Sequence, residues 1–165
     1  MTNKQRAMMV AEKAHANQTY DIYPYMYHIK QVVEIAEALG YDESIIIAAT
    51  LHDVLEDTSL SYNDLKKTFG REVAEIVYAV TDELGRNRSE RKAKTYPKIR
   101  ANWKAAVVKI CDRIANMEHS VWYNKELYTM YKNELPDFFK NINNADHPKE
   151  EMERVYKRIS EIEIY

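Results

Sequence analysis

An all-α fold is predicted by two features of the sequence. Turn-forming residues are scarce: only Gly40, Gly70 and Gly85 occur, with four prolines, in a chain of 165 residues. That is too few for the frequent tight turns of a β-sandwich or barrel. Apolar residues recur instead at spacings of three and four, the period of one helix face, nearly from end to end.

The elements follow in order. Pro24 opens a segment whose Val32, Val33, Ile35, Ala36 and Leu39 form an apolar stripe, and Gly40 stands where a C-terminal cap belongs. Asp42 precedes Ile45, Ile46, Ile47, Ala48 and Ala49, a run apolar all round that predicts a buried helix. Ser61 can cap a helix from Tyr62 to Phe69 that Gly70 closes. Val73, Ile76, Val77 and Val80 repeat at three and four on the next helix. The polar stretch from Asp82 to Lys98 reads as a loop followed by a solvated helix, and Val107, Val108, Ile110, Cys111, Ile114 and Ala115 as another buried helix. Pro136 is expected to open a late helix at its first turn, and Pro148 the C-terminal one. With no repeat, linker or low-complexity segment, residues 1–165 read as one domain, in which 124–163 supply packing helices and a surface open to a homodimer.

Composition bounds the function. A formal net charge of −2 excludes binding of nucleic acid through bulk positive charge. A 45% apolar and 30% charged composition suits a globular core and excludes intrinsic disorder. No apolar run is long enough to span a membrane, and the first residues carry no secretory pattern. The single cysteine, Cys111, fits a reducing compartment and reads as core, so the expected location is the cytoplasm.

The chemistry concentrates in Leu51-His52-Asp53-Val54-Leu55-Glu56-Asp57-Thr58. On one continuous helix, His52 would face Glu56, and Asp53 would face Asp57, within an arc of about 140°. Three carboxylates on one stripe repel each other by a few tenths of about 1 kcal/mol per pair even when solvated. A bound divalent cation would offset that repulsion; otherwise the stripe is the polar face of an amphipathic helix. His28 lies early in the preceding helix and Asp112 inside the apolar Val107–Ala115 run, where an acid needs a partner or a metal. Two imidazoles and two carboxylates form a mixed nitrogen–oxygen donor set suited to Mn²⁺, Fe²⁺ or Zn²⁺ rather than Ca²⁺.

The order His28, His52-Asp53, Asp112 resembles the HD-domain metal-dependent phosphohydrolases. More narrowly, the chain is similar to the hydrolase domain of RelA/SpoT-type alarmone, or (p)ppGpp, enzymes. The stretches that carry the resemblance are Ala14-His15-Ala16-Asn17-Gln18, Pro24-Tyr25-Met26-Tyr27-His28, Ala48 to Thr58, Phe69-Gly70, Val80-Thr81 and Val108 to Met117, together spanning residues 7–120. The resemblance implies an HD-domain helical bundle in which His28, His52, Asp53 and Asp112 hold one divalent ion, usually Mn²⁺. It implies that Glu56 and Asp57 position and activate the attacking water, while Asn116 and Lys109 contact the nucleotide. The implied reaction is removal of pyrophosphate from the 3′ position of guanosine tetra- or pentaphosphate. A nucleotide phosphomonoesterase of the same superfamily and a catalytically silent nucleotide-binding module are the alternatives. Where the family carries Gln-Arg-Lys-x-Gly-x-Pro-Tyr, this chain reads Gln18-Thr19-Tyr20-Asp21-Ile22-Tyr23-Pro24-Tyr25, so Tyr20 or Tyr23 would offer a base an aromatic face in place of the cations.

Between Arg86 and Lys104 eight basic residues face one acid, Glu90. The stretch reads either as a solvated helical face or as a phosphate grip in which Arg91 or Lys92 contacts the substrate. His15 is expected to pack near the end of the first helix, His119 and His147 to lie at the surface, and Trp103 and Trp122 to be core or interface.

Overall fold

A computed structural model describes residues 1–162. Among them are ten helices and one two-stranded hairpin. The helices are α1 Asn3–Ala14, α2 Met26–Ala38, α3 Glu43–Leu51, α4 Val54–Asp57, α5 Tyr62–Phe69, α6 Arg71–Val80, α7 Arg88–Arg100, α8 Trp103–Tyr123, α9 Lys125–Ile142 and α10 Lys149–Ser160. Residue 163, the expected limit of the last packing helix, lies outside the described residues.

The local signals act where the sequence places them. The Asp42 carboxylate accepts from the Ile45 amide at the start of α3, and Ser61 and Asp64 form a reciprocal capping box at the start of α5. Gly40, at φ 78°, lets the Tyr41 and Gly40 amides reach back to the Ala36 and Glu37 carbonyls and close α2. Helix α3 is buried from Ile45 to Leu51 and packs against α1, α2, α6 and α8. It is the central rod of the bundle. Helix α8 runs alongside it, burying Val107, Val108, Ile110, Cys111 and Ile114. Burial pushes the Cys111 thiol up to about 12, which leaves it an inert core residue.

Several expectations are corrected. Helix α2 begins at Met26 rather than Pro24, because Tyr23–Pro24 (β2) pairs antiparallel with Thr19–Tyr20 (β1) across a tight turn at Asp21 and Ile22. Asp21 takes φ 55°, a left-handed conformation that a short polar side chain tolerates. Pro136 sits inside α9, not at its start: Tyr128 upstream and Phe138 and Ile142 downstream are all buried, so packing carries the helix through one missing amide hydrogen bond. Helix α7 is not wholly solvated, since Thr95, Tyr96 and Ile99 are buried against α6, α8 and α9. His119 and His147 are buried rather than superficial. His119 pairs with Asp21 at 3.0 Å, and His147 donates to the Arg100 carbonyl at 2.8 Å. Trp122 is two-thirds exposed, at 67%.

Candidate metal centre and active site

The His-Asp pair does not lie on one continuous helix. Helix α3 ends at Leu51, His52 and Asp53 form a turn, and the short α4 restarts at Val54. The His52 imidazole causes the break to hold: its Nδ1 lies 2.7 Å from the Ala49 carbonyl, the acceptor that a continuing helix would offer to the Asp53 amide. The turn swings His52 and Asp53 inward and leaves Glu56 and Asp57 facing solvent on α4. The expected shared stripe of four polar groups is therefore split into an inner pair and an outer pair.

The inner pair meets the other two candidates. One donor atom each from His28, His52 and Asp53 falls within 4.8 Å of the others. Asp112, from α8, places Oδ1 2.9 Å from His28 Nε2 and 3.3 Å from His52 Nε2, while Asp53 Oδ2 lies 3.0 Å from His52 Nε2. All four residues expected to form the centre are thus brought together by α2, the α3–α4 turn and α8.

The donor set fits a divalent cation. Since Nδ1 of His52 bears the proton given to the Ala49 carbonyl, a neutral ring turns its Nε2 lone pair toward two carboxylates. Nε2 is buried and lies close to those oxygens without the alignment of a hydrogen bond. Lone pairs converging in this way need a positive charge between them, and a backbone carbonyl on the far nitrogen is the usual second partner of a metal-binding histidine. The titration behaviour expresses the same demand. Burial opposes charge on His52, yet Asp53 and Asp112 outweigh it and hold the imidazole well above its ordinary value. Burial opposes charge on Asp112 too, but Lys109 and then the two imidazoles hold its carboxyl well below the usual range.

A surrounding layer steers these groups, and sequence reasoning missed much of it. The Tyr25 hydroxyl donates to Asp53 Oδ2, and burial, followed by that carboxylate, raises the phenol far above its ordinary range. Gln18 Nε2 donates to Asp57 Oδ2 at 3.0 Å, and its carbonyl oxygen faces His15 Nδ1 at 2.7 Å. Both residues stand in the stretches that carry the family resemblance, which is the one signal that pointed to them. Glu56 and Asp57 both titrate above their ordinary values. Partial desolvation is the first cause for each, with Asp53 adding to both and Asp82 to Glu56.

The expected substrate contacts divide. Asn116 Nδ2 lies 3.4 Å from Asp112 Oδ1, and its Oδ1 accepts from the Tyr20 hydroxyl at 2.7 Å. Lys109 does not snorkel to solvent; its ammonium is largely buried, 3.4 Å from Asp112 Oδ2. Tyr20 stacks one face of its ring on His28, with centroids 4.6 Å apart. Lys92 is committed to Asp82 at 2.8 Å, and burial, then the Lys109 charge, pulls its amine down to about 8. Lys92 also lines a cleft of about 480 Å³ between α7 and α9 with Arg88, Tyr96 and Glu134. Arg91 makes no ion pair among the described residues. The rest of the basic stretch is mostly paired: Arg88 with Glu134, Lys98 with Glu83, Arg86 and Lys94 with Glu90, and Lys104 with Asp42 and Glu72. No helix among the described residues is long and apolar enough to cross a membrane.

Comparison with known proteins agrees with this arrangement. The guanosine-3′,5′-bis(diphosphate) 3′-pyrophosphohydrolase MESH1 of Drosophila melanogaster is 36% identical over 97 residues, covering 57% of this chain and 54% of that protein. The bifunctional (p)ppGpp synthase/hydrolase SpoT of Escherichia coli is 35% identical over 120 residues, covering 68% of this chain and 17% of that protein. The chain thus spans about half the length of the fly relative and about a sixth of the bacterial one. A metazoan SpoT ortholog that hydrolyses ppGpp has the same fold, with a TM-score of 0.73, 24% identity and 96% of each chain covered. The lmo0812 protein of Listeria monocytogenes superposes with a TM-score of 0.60 at 28% identity, over 82% of this chain and 98% of that one. With its residues 7–146 matching the HD domain, and with the histidines and aspartates that name the domain gathered at one point between α2, α3 and α8, the chain belongs to the HD-domain family.

Proposed function

We propose that the chain is a metal-dependent (p)ppGpp 3′-pyrophosphohydrolase, working with Mn²⁺ in the cytoplasm. The observation that carries the reading is the convergence of His28, His52, Asp53 and Asp112, with a pair of water-facing carboxylates one short helix away. The fly and bacterial relatives named as guanosine polyphosphate hydrolases supply the substrate class. When bound, a divalent ion lowers the pKa of water and polarises a phosphoryl oxygen.

This chain's residues supply the rest. Asp57, held by Gln18, and Glu56, beside Asp53, stand where they can orient a water and accept its proton. Their raised pKa values bring them closer to the basicity that proton abstraction needs. Lys109 and Asn116 border the centre on the Asp112 side, where a cation and an amide suit a phosphate and a sugar hydroxyl. Tyr20 stands at the same rim, stacked on His28, and Lys92 or Arg91 of α7 is the cation assigned to the substrate phosphates.

The test is product analysis. Purified protein incubated with ppGpp and Mn²⁺ should yield GDP and pyrophosphate, and Glu56→Ala should abolish the reaction. Orthophosphate released from nucleotide monoesters, with ppGpp untouched, would replace the reading with a phosphomonoesterase. Silence on every nucleotide despite bound Mn²⁺ would replace it with a binding module.

A further inference from the structure

We propose that Tyr20 is a positioning residue of the metal centre, acting on Asp112 through Asn116 and on His28 through its ring. The inference rests on the reading of His28, His52, Asp53 and Asp112 as the ligands of a divalent ion.

The Tyr20 ring lies nearly parallel to the His28 imidazole, at 10° and 4.6 Å between centroids, so it limits the tilt of one ligand directly. Its hydroxyl reaches the second ligand indirectly. The phenol donates to Asn116 Oδ1, 2.7 Å away, while the Asp112 carboxylate, which can only accept, takes the other end of the amide. The bond to the phenol anchors the amide at its oxygen and keeps Nδ2 turned toward Asp112 Oδ1, at 3.4 Å. The reverse orientation would press a carbonyl oxygen against a carboxylate oxygen. That same Asp112 oxygen is the one that touches both His28 and His52, at 2.9 and 3.3 Å. One side chain thus constrains an imidazole and a carboxylate on two different helices.

Tyr20 can do this because it is itself held. It pairs with Tyr23 in the β1–β2 register and meets the buried His119 edge-on at 5.0 Å, while His119 grips the turn through Asp21. Tyr23 in turn stacks on Tyr27 at 4.3 Å, fastening the hairpin to α2. The hairpin thereby presents Tyr20 to the centre from a fixed position. Partners that orient ligands from outside act on affinity, and removing one costs about 10-fold to 100-fold in metal binding.

The experiment is calorimetric titration of Mn²⁺ into the full chain after chelation. Tyr20→Phe, which keeps the ring and removes the hydroxyl, should weaken Mn²⁺ binding by about 10-fold, and Asn116→Ala should do the same. Because both cut one chain of contacts, the double variant should bind no more weakly than Asn116→Ala alone. Tyr123→Phe, which loosens the hairpin's contact through Tyr23 without touching Tyr20, should keep the wild-type affinity. Wild-type affinity in Tyr20→Phe or in Asn116→Ala, or losses that add in the double variant, would overturn the proposal. If Tyr20→Phe melts early without metal, the Asn116→Ala arm decides, since it leaves Tyr20 in place. His52→Ala should lose Mn²⁺ binding altogether. Undiminished binding there would overturn the metal assignment itself, an outcome distinct from the failure of Tyr20.

Discussion

Gln18 and Asp57, 39 residues apart in sequence, meet in a hydrogen bond of 3.0 Å from the Gln18 amide to Asp57 Oδ2. His15 faces the other end of that amide with Nδ1 2.7 Å from its oxygen, so the glutamine is held in one orientation and aims a donor at a carboxylate that would otherwise swing in solvent. Holding a base in place contributes to the rate without contributing to substrate affinity. Gln18→Ala should lower kcat on ppGpp by about 10-fold, less than the loss of the base itself. KM and Mn²⁺ affinity should stay near wild type. Steady-state kinetics check this, and a change confined to KM would contradict the role.

The inner and outer carboxylates should separate cleanly under mutation. Glu56→Gln and Asp57→Asn remove the groups placed to accept a proton and should each lower kcat by about 10²-fold or more. Neither lies among the clustered donor atoms, so both variants should still be stabilised by added Mn²⁺. A ligand at about 100 times its dissociation constant adds about 2.7 kcal/mol to stability, a shift that thermal melting resolves. In Asp53→Ala that shift should vanish together with activity.

Asp42 joins the cap of α3 to an ion pair. Its Oδ1 accepts from the Ile45 amide at 3.1 Å and its Oδ2 from Lys104 at 2.8 Å. Burial raises the carboxyl, but the Lys104, Ser44 and Ile45 donors outweigh it and hold it below its ordinary value. A carboxyl depressed in the folded state adds stability above its unfolded pKa of about 3.9, and that stability is lost as pH falls through the lower folded value. Asp42→Asn keeps the capping oxygen and has no charge to titrate. The variant should be less stable than wild type at neutral pH by about 0.5 kcal/mol, because the Asp42 end of the pair is half exposed. The two proteins should converge as pH falls below about 4, as denaturant titrations at stepped pH will show.

What the sequence made legible was set by short-range rules. Asp42, Ser61, Gly40 and Gly70 act within one turn of their own positions, so their roles could be read directly. The four ligand candidates were legible as a set because the family order is distinctive, although their geometry was not. No local rule predicts that His52 takes the Ala49 carbonyl and breaks the helix, since the imidazole competes there with the backbone in a buried turn. The burial of His119 and the stacking of Tyr20 on His28 depend on a hairpin of four paired residues, too short to show an alternating pattern. The ion pairs of the basic stretch were hidden for a related reason: the partners of Lys98 and Arg88 are Glu83 and Glu134, and the second lies on α9.

The misplaced Pro136 leads to a stability prediction. It lies within α9, exposed to solvent, between the buried Tyr128 and Phe138. A proline there lacks the amide that would bond to the Lys132 carbonyl, and its ring crowds that turn, a cost that reaches about 3 kcal/mol in a regular helix. The helix persists because Phe138 and Ile142 are anchored against the core, with Phe138 also packing under the Arg113 guanidinium at 4.4 Å. Pro136→Ala should therefore restore a backbone bond while losing no core contact. The folded state should gain about 1 kcal/mol, less than the full cost because the surrounding turn has already adapted, and because alanine frees the unfolded chain. For a chain of this size that is a rise in Tm of about 2–4 °C. A fall in Tm would mean that the bend at Pro136 is itself needed to seat Phe138.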